Sequence, residues 1–137
     1  MTAPRFRLLE TQRFEWPFKL RMPFRFGVIT VTHGRQAVIR ARIALEDGSE
    51  HWGVAAETLA AKWFDKDPRW SDAQNEDQLR RALEIACDAT MAAGANTAFG
   101  HFADAYAAHV AACGAEQLNP LIAAYGRALV DRAMLDA

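Results

Sequence analysis

Two stretches of strict alternation between apolar and polar residues limit this chain's options more than any other feature. Phe18, Leu20, Met22, Phe24 and Phe26 alternate with Lys19, Arg21 and Arg25. Successive side chains of a strand take opposite faces, so the first set forms an apolar face and the second a basic, wet one. The pattern resumes with Ala37, Ile39, Ala41, Ile43 and Leu45 against Arg40, Arg42 and Glu46. Asp47-Gly48 then supplies a hairpin turn into a third run, His51 to Glu57. The sequence therefore predicts an α+β fold: a three-stranded antiparallel meander with one buried face. A bundle of three or four helices should follow and cover that face.

The segments around this meander are less regular. Residues 1–17 open with the short alternation Arg5-Phe6-Arg7-Leu8-Leu9 and read as a lead-in or an edge segment. Pro17 and Pro23 each remove a ladder donor and suit an edge. Gly27 to Gln36 reads as a loop ending in a glycine turn. Its content (Val28, Ile29, Thr30, Val31, Thr32) is apolar for an exposed loop, so it is tucked against the core or kept for a partner. Trp63, Phe64 and Trp70 lie in a segment with no sustained period. They plug the gap between sheet and helices, or form a contact surface for another domain or ligand.

Helical spacing begins after Asn75-Glu-Asp-Gln, with Leu79, Ala82, Leu83, Ala86, Ala89, Thr90 and Ala93, and Gly94 ends it. Asn96 or Thr97 caps a second helix, whose predicted inner face is Phe99, Phe102, Ala103, Tyr106, Val110 and Cys113. Asn119-Pro120 opens a third, with proline in the first helical position. Leu121, Ile122, Tyr125, Leu129 and Ala133 carry it to Ala137 without glycine, proline or a basic last turn. The chain reads as cut while still helical.

Composition excludes several classes. At 137 residues the chain is one domain, and 51% hydrophobic with 24% charged residues suits a globular protein. No apolar run approaches the roughly 18 residues of a membrane span, and the first 20 residues are too charged for a signal peptide, so a cytoplasmic protein is expected. Cys87 and Cys113 read as reduced, buried thiols. Residues 1–42 hold nine Lys/Arg against two acids, and the remainder seven against fifteen. The basic third is not expected to bind nucleic acid, because its aromatics alternate with its cations instead of sharing a face with them. Its outer sheet face is expected to meet water or an acidic protein surface. No Lys-x-Lys pair and no metal-spaced carboxylate set is present. Asp65-Lys66-Asp67 reads as a solvated loop, and His101 and His109, about 80° apart on one helix, read as surface histidines and not as metal ligands. No catalytic residue and no cofactor are expected in this chain.

Four stretches resemble the amino-terminal capping region of the enolase superfamily, in its mandelate racemase and muconate-lactonizing enzyme branch. Pro23-Phe24-Arg25-Phe26-Gly27 is similar to the strand leading to that family's first specificity loop. Val38-Ile39-Arg40-Ala41-Arg42 with Asp47-Gly48 is similar to its second strand and turn. His51-Trp52-Gly53-Val54-Ala55 is similar to a Gly-Trp-Gly-Glu-Ala third strand, and Ala128-Leu129-Val130-Asp131 to an Ala-Leu-Trp-Asp helix before the barrel. Val54 replaces the usual Glu and Val130 the frequent Trp, so interactions of that Glu do not carry over.

The resemblance implies one capping-type domain over residues 1–137, whose last helix would precede a (β/α) barrel that the chain lacks. It implies a parent isomerase or lyase that abstracts a proton alpha to a carboxylate with the help of Mg²⁺; the bases and metal carboxylates belong to the barrel. The capping region closes over a small carboxylate substrate and selects its distal group. On that basis Phe26, Val28, Thr30, His33, Glu57, Lys62 and Trp63 are the expected substrate-facing residues. The expected partner is the missing barrel or a second copy of the chain, with neither nucleic acid nor membrane. The alternative is a stand-alone homo-oligomeric binding module on the same scaffold.

Overall fold

A computed structural model of the chain describes residues 3–137. β1 (Arg5–Phe26) and β2 (Ile29–Leu45) form one long antiparallel hairpin, and β3 (Glu50–Thr58) continues the meander across the Asp47-Gly48 turn. Gly48 sits at φ +85°, where glycine carries no Cβ penalty. A two-residue strand, β4 (Asn96–Thr97), pairs with β1 only at Arg5 and Phe6, giving the order β3-β2-β1-β4. Past Phe6 the outer side of β1 is therefore an edge, which accommodates Pro17 and Pro23.

The expected Gly27–Gln36 loop is strand. Only Gly27 and Val28 turn the chain, with Gly27 at φ +54°, and Phe26 pairs directly with Ile29. The β-branched run Ile29-Thr30-Val31-Thr32 has the composition of a pleated strand, and pairing to Phe24–Phe26 satisfies its backbone.

The sheet does bury one face, but the residues expected on it from β1 need correction. The register slips by one residue between Leu8 and Glu10, so β1 carries a bulge at Leu9. Strand side chains repeat every two residues, so one extra residue exchanges the two faces beyond it. Phe6 and Leu8 point into the core, joined by Ala37, Ile39, Ala41 and Ile43 of β2. After the bulge it is Thr11, Arg13 and Glu15 that pair with this inner set, while Phe14, Trp16 and Phe18 turn outward. Phe14 and Trp16 are 44% and 53% exposed. The outer face is consequently aromatic as well as basic. Arg40 stacks on Trp52 at 4.4 Å, and Arg42 bonds Glu10 and Glu50 at 2.9 and 2.7 Å. A second irregularity, between Lys19 and Phe24, adds three residues to β1 around Pro23.

The helices close the inner face. α1 (Ala61–Phe64) is a single turn. α2 (Asp72–Ala92) starts earlier than Asn75: Ser71 caps it, accepting from Gln74 N–H while the Gln74 side chain returns to Ser71 N–H. Asn75 is buried instead. α3 (Ala98–Ala115) is capped by Thr97, and α4 (Pro120–Asp136) by Asn119 with Pro120 in the first turn.

The face of α3 reverses the sequence expectation. His101, His109 and Cys113 are its buried residues, while Phe99 is 74% exposed and Phe102 and Tyr106 lie open beside it. An alanine-rich helix has little to fix its rotation. Here two imidazoles decide it, His101 donating from Nε2 to the Phe6 carbonyl at 2.9 Å and His109 to the Ala123 carbonyl at 2.8 Å.

α4 holds the layers together. Gly126 leaves no room for a Cβ against the Ala82 backbone of α2, and Gly53 of β3 leaves none against Ala133. Arg127, 2% exposed, pairs with Asp131 on its own helix and donates to Thr90 Oγ1 of α2 at 2.8 Å. At the outer edge of β3, Val54 N–H donates to Asp136 Oδ2 at 2.9 Å and the Ala56 carbonyl accepts from Arg132 at 2.9 Å. Cys87 and Cys113 are free and buried, and desolvation pushes both thiols up.

Candidate functional site

The outer end of the β1–β2 hairpin extends beyond the helices and builds the first part of the site. Phe24 pairs with Val31 and Phe26 with Ile29, so these four share a face, while Arg25 and Thr30 share the opposite one. The Phe26 ring meets Phe24 at 5.9 Å and the edge of Trp63 at 5.3 Å. Trp63 belongs to α1, so the hairpin end folds toward the connection that leaves β3. Met22, Phe24 and Trp63 stay more than half exposed, at 71%, 58% and 55%, and Val28 at the turn is 90% exposed.

The second part lies where β3 ends. Glu57 Oε2 pairs with Arg132 of α4 at 3.1 Å, and its other oxygen accepts Thr58 N–H. Glu57, Phe64, Leu121, Tyr125, Ala128 and Arg132 line an open groove of about 250 Å³. Phe64 packs edge-on against Tyr125 at 5.1 Å.

Of the seven residues expected to face a substrate, the structure brings Phe26 and Trp63 into contact. His33 falls on the same face of β2 as Ile29 and Val31; its Nδ1 lies 3.0 Å from Thr32 Oγ1. Val28 is at the tip. Thr30 points to the other face of the hairpin. Lys62 is turned inward, donating to Asn75 Oδ1 at 2.7 Å and to the Asp67 and Trp70 carbonyls, so its ammonium is already committed to structure. Glu57 stands apart, in the groove. Sequence reasoning missed Arg132 and the hairpin partners Ile29 and Val31. Period-two alternation through residues 29–32 was the available signal for the latter, and nothing local announces Arg132.

The acidic loop is structural too. Asp67 is held at about 2 by hydrogen bonds from the Arg69 side chain and backbone, and Asp65 accepts Asp67 N–H at 2.9 Å. Among the described residues no three His, Cys, Asp or Glu side chains converge on one point. Among the described residues no helix is long and apolar enough to cross a membrane.

No family model matches the sequence, and no curated protein matches it significantly. Among solved structures, the chain is similar to a substrate-liganded complex of the L-Ala-D/L-Glu epimerase from Bacillus subtilis, with a TM-score of 0.45 and 18% identity. The overlap covers 93% of this chain and 30% of that one, so the chain spans less than a third of the epimerase's length. An overlap this loose, standing alone, assigns neither family nor function.

Proposed function

We propose that this chain is the capping, specificity-determining portion of an enzyme of the mandelate racemase and muconate-lactonizing branch of the enolase superfamily, inactive by itself. One observation supports the reading above the others. The stretches that resemble the family fall on successive strands of one meander and on the helix that docks against it. Pro23–Gly27 ends β1, Val38–Arg42 lies in β2, His51–Ala55 in β3, and Ala128–Asp131 in α4, whose last turn packs on Gly53.

In this reading the hairpin end and the Trp63 segment form a lid. Phe26 and Trp63 exclude water from a carboxylate substrate held by the barrel, Val28 and His33 face its distal group, and Glu57–Arg132 borders the contact. Mg²⁺ and the proton-abstracting base belong to the barrel. Thr30 stands on the opposite face of the hairpin, and Lys62 steadies the Trp63 segment through Asn75 and the Asp67 and Trp70 carbonyls. The test is alpha-proton exchange in deuterated water, with hydroxy acids, acid sugars and dipeptides as candidate substrates and Mg²⁺ present. The expected rate equals that of a heat-killed control. Exchange above that control overturns the requirement for a barrel.

A second reading, a stand-alone homo-oligomeric module, is favoured by one feature the first leaves unused. Phe99, Phe102 and Tyr106 form an exposed aromatic stripe on α3, with ring centroids 6.2 and 5.2 Å apart. Sedimentation equilibrium separates the two. A dimer that Phe99→Ser and Tyr106→Ser dissolve supports the module, and a monomer at tens of micromolar removes it.

A further inference from the structure

A cavity of about 210 Å³ lies between the β1–β2 hairpin and helices α2 and α4, away from the hairpin end. Arg13, Glu15, Leu59, Arg80, Leu83 and Tyr125 are among its walls. Tyr125 is 4% exposed, and its hydroxyl is the one buried side-chain polar atom among the described residues that finds no hydrogen-bond partner. Native interiors rarely leave such a group orphaned, and an unexplained case points to something that fills the site.

The surrounding charges say what kind of group that is. Glu15 is already neutralised: Oε1 accepts from Arg80 at 2.7 Å, and Oε2 from Arg80 and Arg35 at 2.9 and 3.0 Å. Arg80 is equally committed, since it also bonds Glu76 and Asp77. Arg13 differs, because its nearest carboxylate, Glu84, is 3.8 Å away, beyond hydrogen-bond reach. Burial, and after it the charges of Glu57 and Glu15, push the Tyr125 phenol up and keep it protonated as a donor. The walls thus hold two donors with no hydrogen-bond partner, one of them cationic, and one carboxylate, Glu15, that two guanidiniums neutralise. The remaining lining, Phe14, Ala37, Val38, Leu59 and Leu83, is apolar. An engineered apolar cavity of about 150 Å³ holds benzene, so this one has space for a single ring with a small polar substituent.

The geometry points to a binding site for a small monocarboxylate with one apolar ring or a short branched chain, its carboxylate accepting from the Tyr125 hydroxyl and lying against the Arg13 guanidinium. The site does not depend on the capping-domain reading and is tested on the chain as it stands.

Benzoate, benzamide and benzylamine are titrated into isotope-labelled protein, with the methyl signals of Leu59, Leu83 and Leu121 followed. Benzoate is expected to shift Leu59 and Leu83 but not Leu121, and to bind about tenfold more tightly than benzylamine, with benzamide between. Tyr125→Phe removes one hydrogen bond and nothing else, and is expected to weaken benzoate about tenfold while leaving the apo protein at least as stable. Arg13→Gln is expected to erase the preference for benzoate over benzamide. Equal affinities across the three ligands, shifts centred on Leu121, or undiminished binding by Tyr125→Phe each overturn the proposal. So does the absence of any ligand-induced shift, which reduces the space to a hydrated cavity only.

Discussion

The two ends of the β1–β2 hairpin share a ladder and almost a composition, yet they behave as different materials. Near Phe6 and Ile43 the sheet lies beneath helices, and Ile39, Ala41, Leu79 and Val130 are fully enclosed. Near Phe24 and Val28 the same two strands stand clear, with large apolar groups open to solvent. The contrast does not come from hydrophobicity, since the outer end is the more aromatic. It comes from coverage: α2 and α4 reach one end of the hairpin, and only the single turn α1 touches the other. Stability resides where layers meet, and the aromatic surplus remains available for contact elsewhere.

That division fails if core and outer end respond alike to substitution. The largest effect is expected from Gly126→Val, which forces a side chain into the Ala82 backbone and should cost about 4 kcal/mol or prevent folding, as read by urea denaturation. Next comes Asp131→Ala, which leaves the buried Arg127 without its carboxylate and should cost about 3 kcal/mol in the same measurement.

Glu15 sits at the boundary, tying β1 to Arg80 of α2 and Arg35 of β2, and Glu15→Gln should cost about 1–2 kcal/mol. Its pKa is lowered chiefly by the hydrogen bonds from Arg80, with those from Arg35 adding to them. The unfolded chain therefore binds that proton more readily. The contribution of Glu15 is complete above the ordinary glutamate value of about 4.3 and is lost as pH falls through its lower folded value. Chemical denaturation between pH 6 and 3 should show a shallower acid-side loss for the Gln variant than for the parent.

The smallest change is expected at the outer end. Phe24→Ser should move stability by no more than about 0.5 kcal/mol, and hydrogen exchange there should be faster than in Ile39–Ile43 in the parent as well. A loss comparable to that of Asp131→Ala would show that the outer end carries core energy after all.

Much of the architecture was legible from residue pattern. The strand order, the Asp47-Gly48 turn and the caps Thr97 and Asn119 rest on local chemistry that context seldom overrides. The strand at 29–36, expected as a loop, and the two-residue β4 were not. Two further misses share one reason: each concerns phase and not period. The bulge at Leu9 moves Phe14, Trp16 and Phe18 to the outer side of the sheet, and the irregularity before Phe24 returns Phe24 and Phe26 to the inner one. On α3, Phe99, Phe102 and Tyr106 keep helical spacing, but the buried set is rotated away, fixed by two histidine-to-carbonyl bonds that no spacing rule foresees. The expected ligand residues fared similarly. Phe26 and Trp63 meet because the hairpin end folds over, whereas Lys62 looks free in the sequence and is fully occupied by Asn75 and two carbonyls.

The way α4 seals β3 bears on how copies of this molecule are able to pile up. Asp136 and Arg132 occupy outward-facing amide and carbonyl groups of Val54 and Ala56, and the Glu57 side chain takes the Thr58 amide. An incoming strand seeking to lengthen the sheet on that flank has to strip those partners first, a helix acting as a stopper where many proteins rely on a lone lysine or proline. Open edge remains on the opposite margin, where β4 guards only Arg5 and Phe6, and along β2 ahead of Gln36, which β3 does not reach.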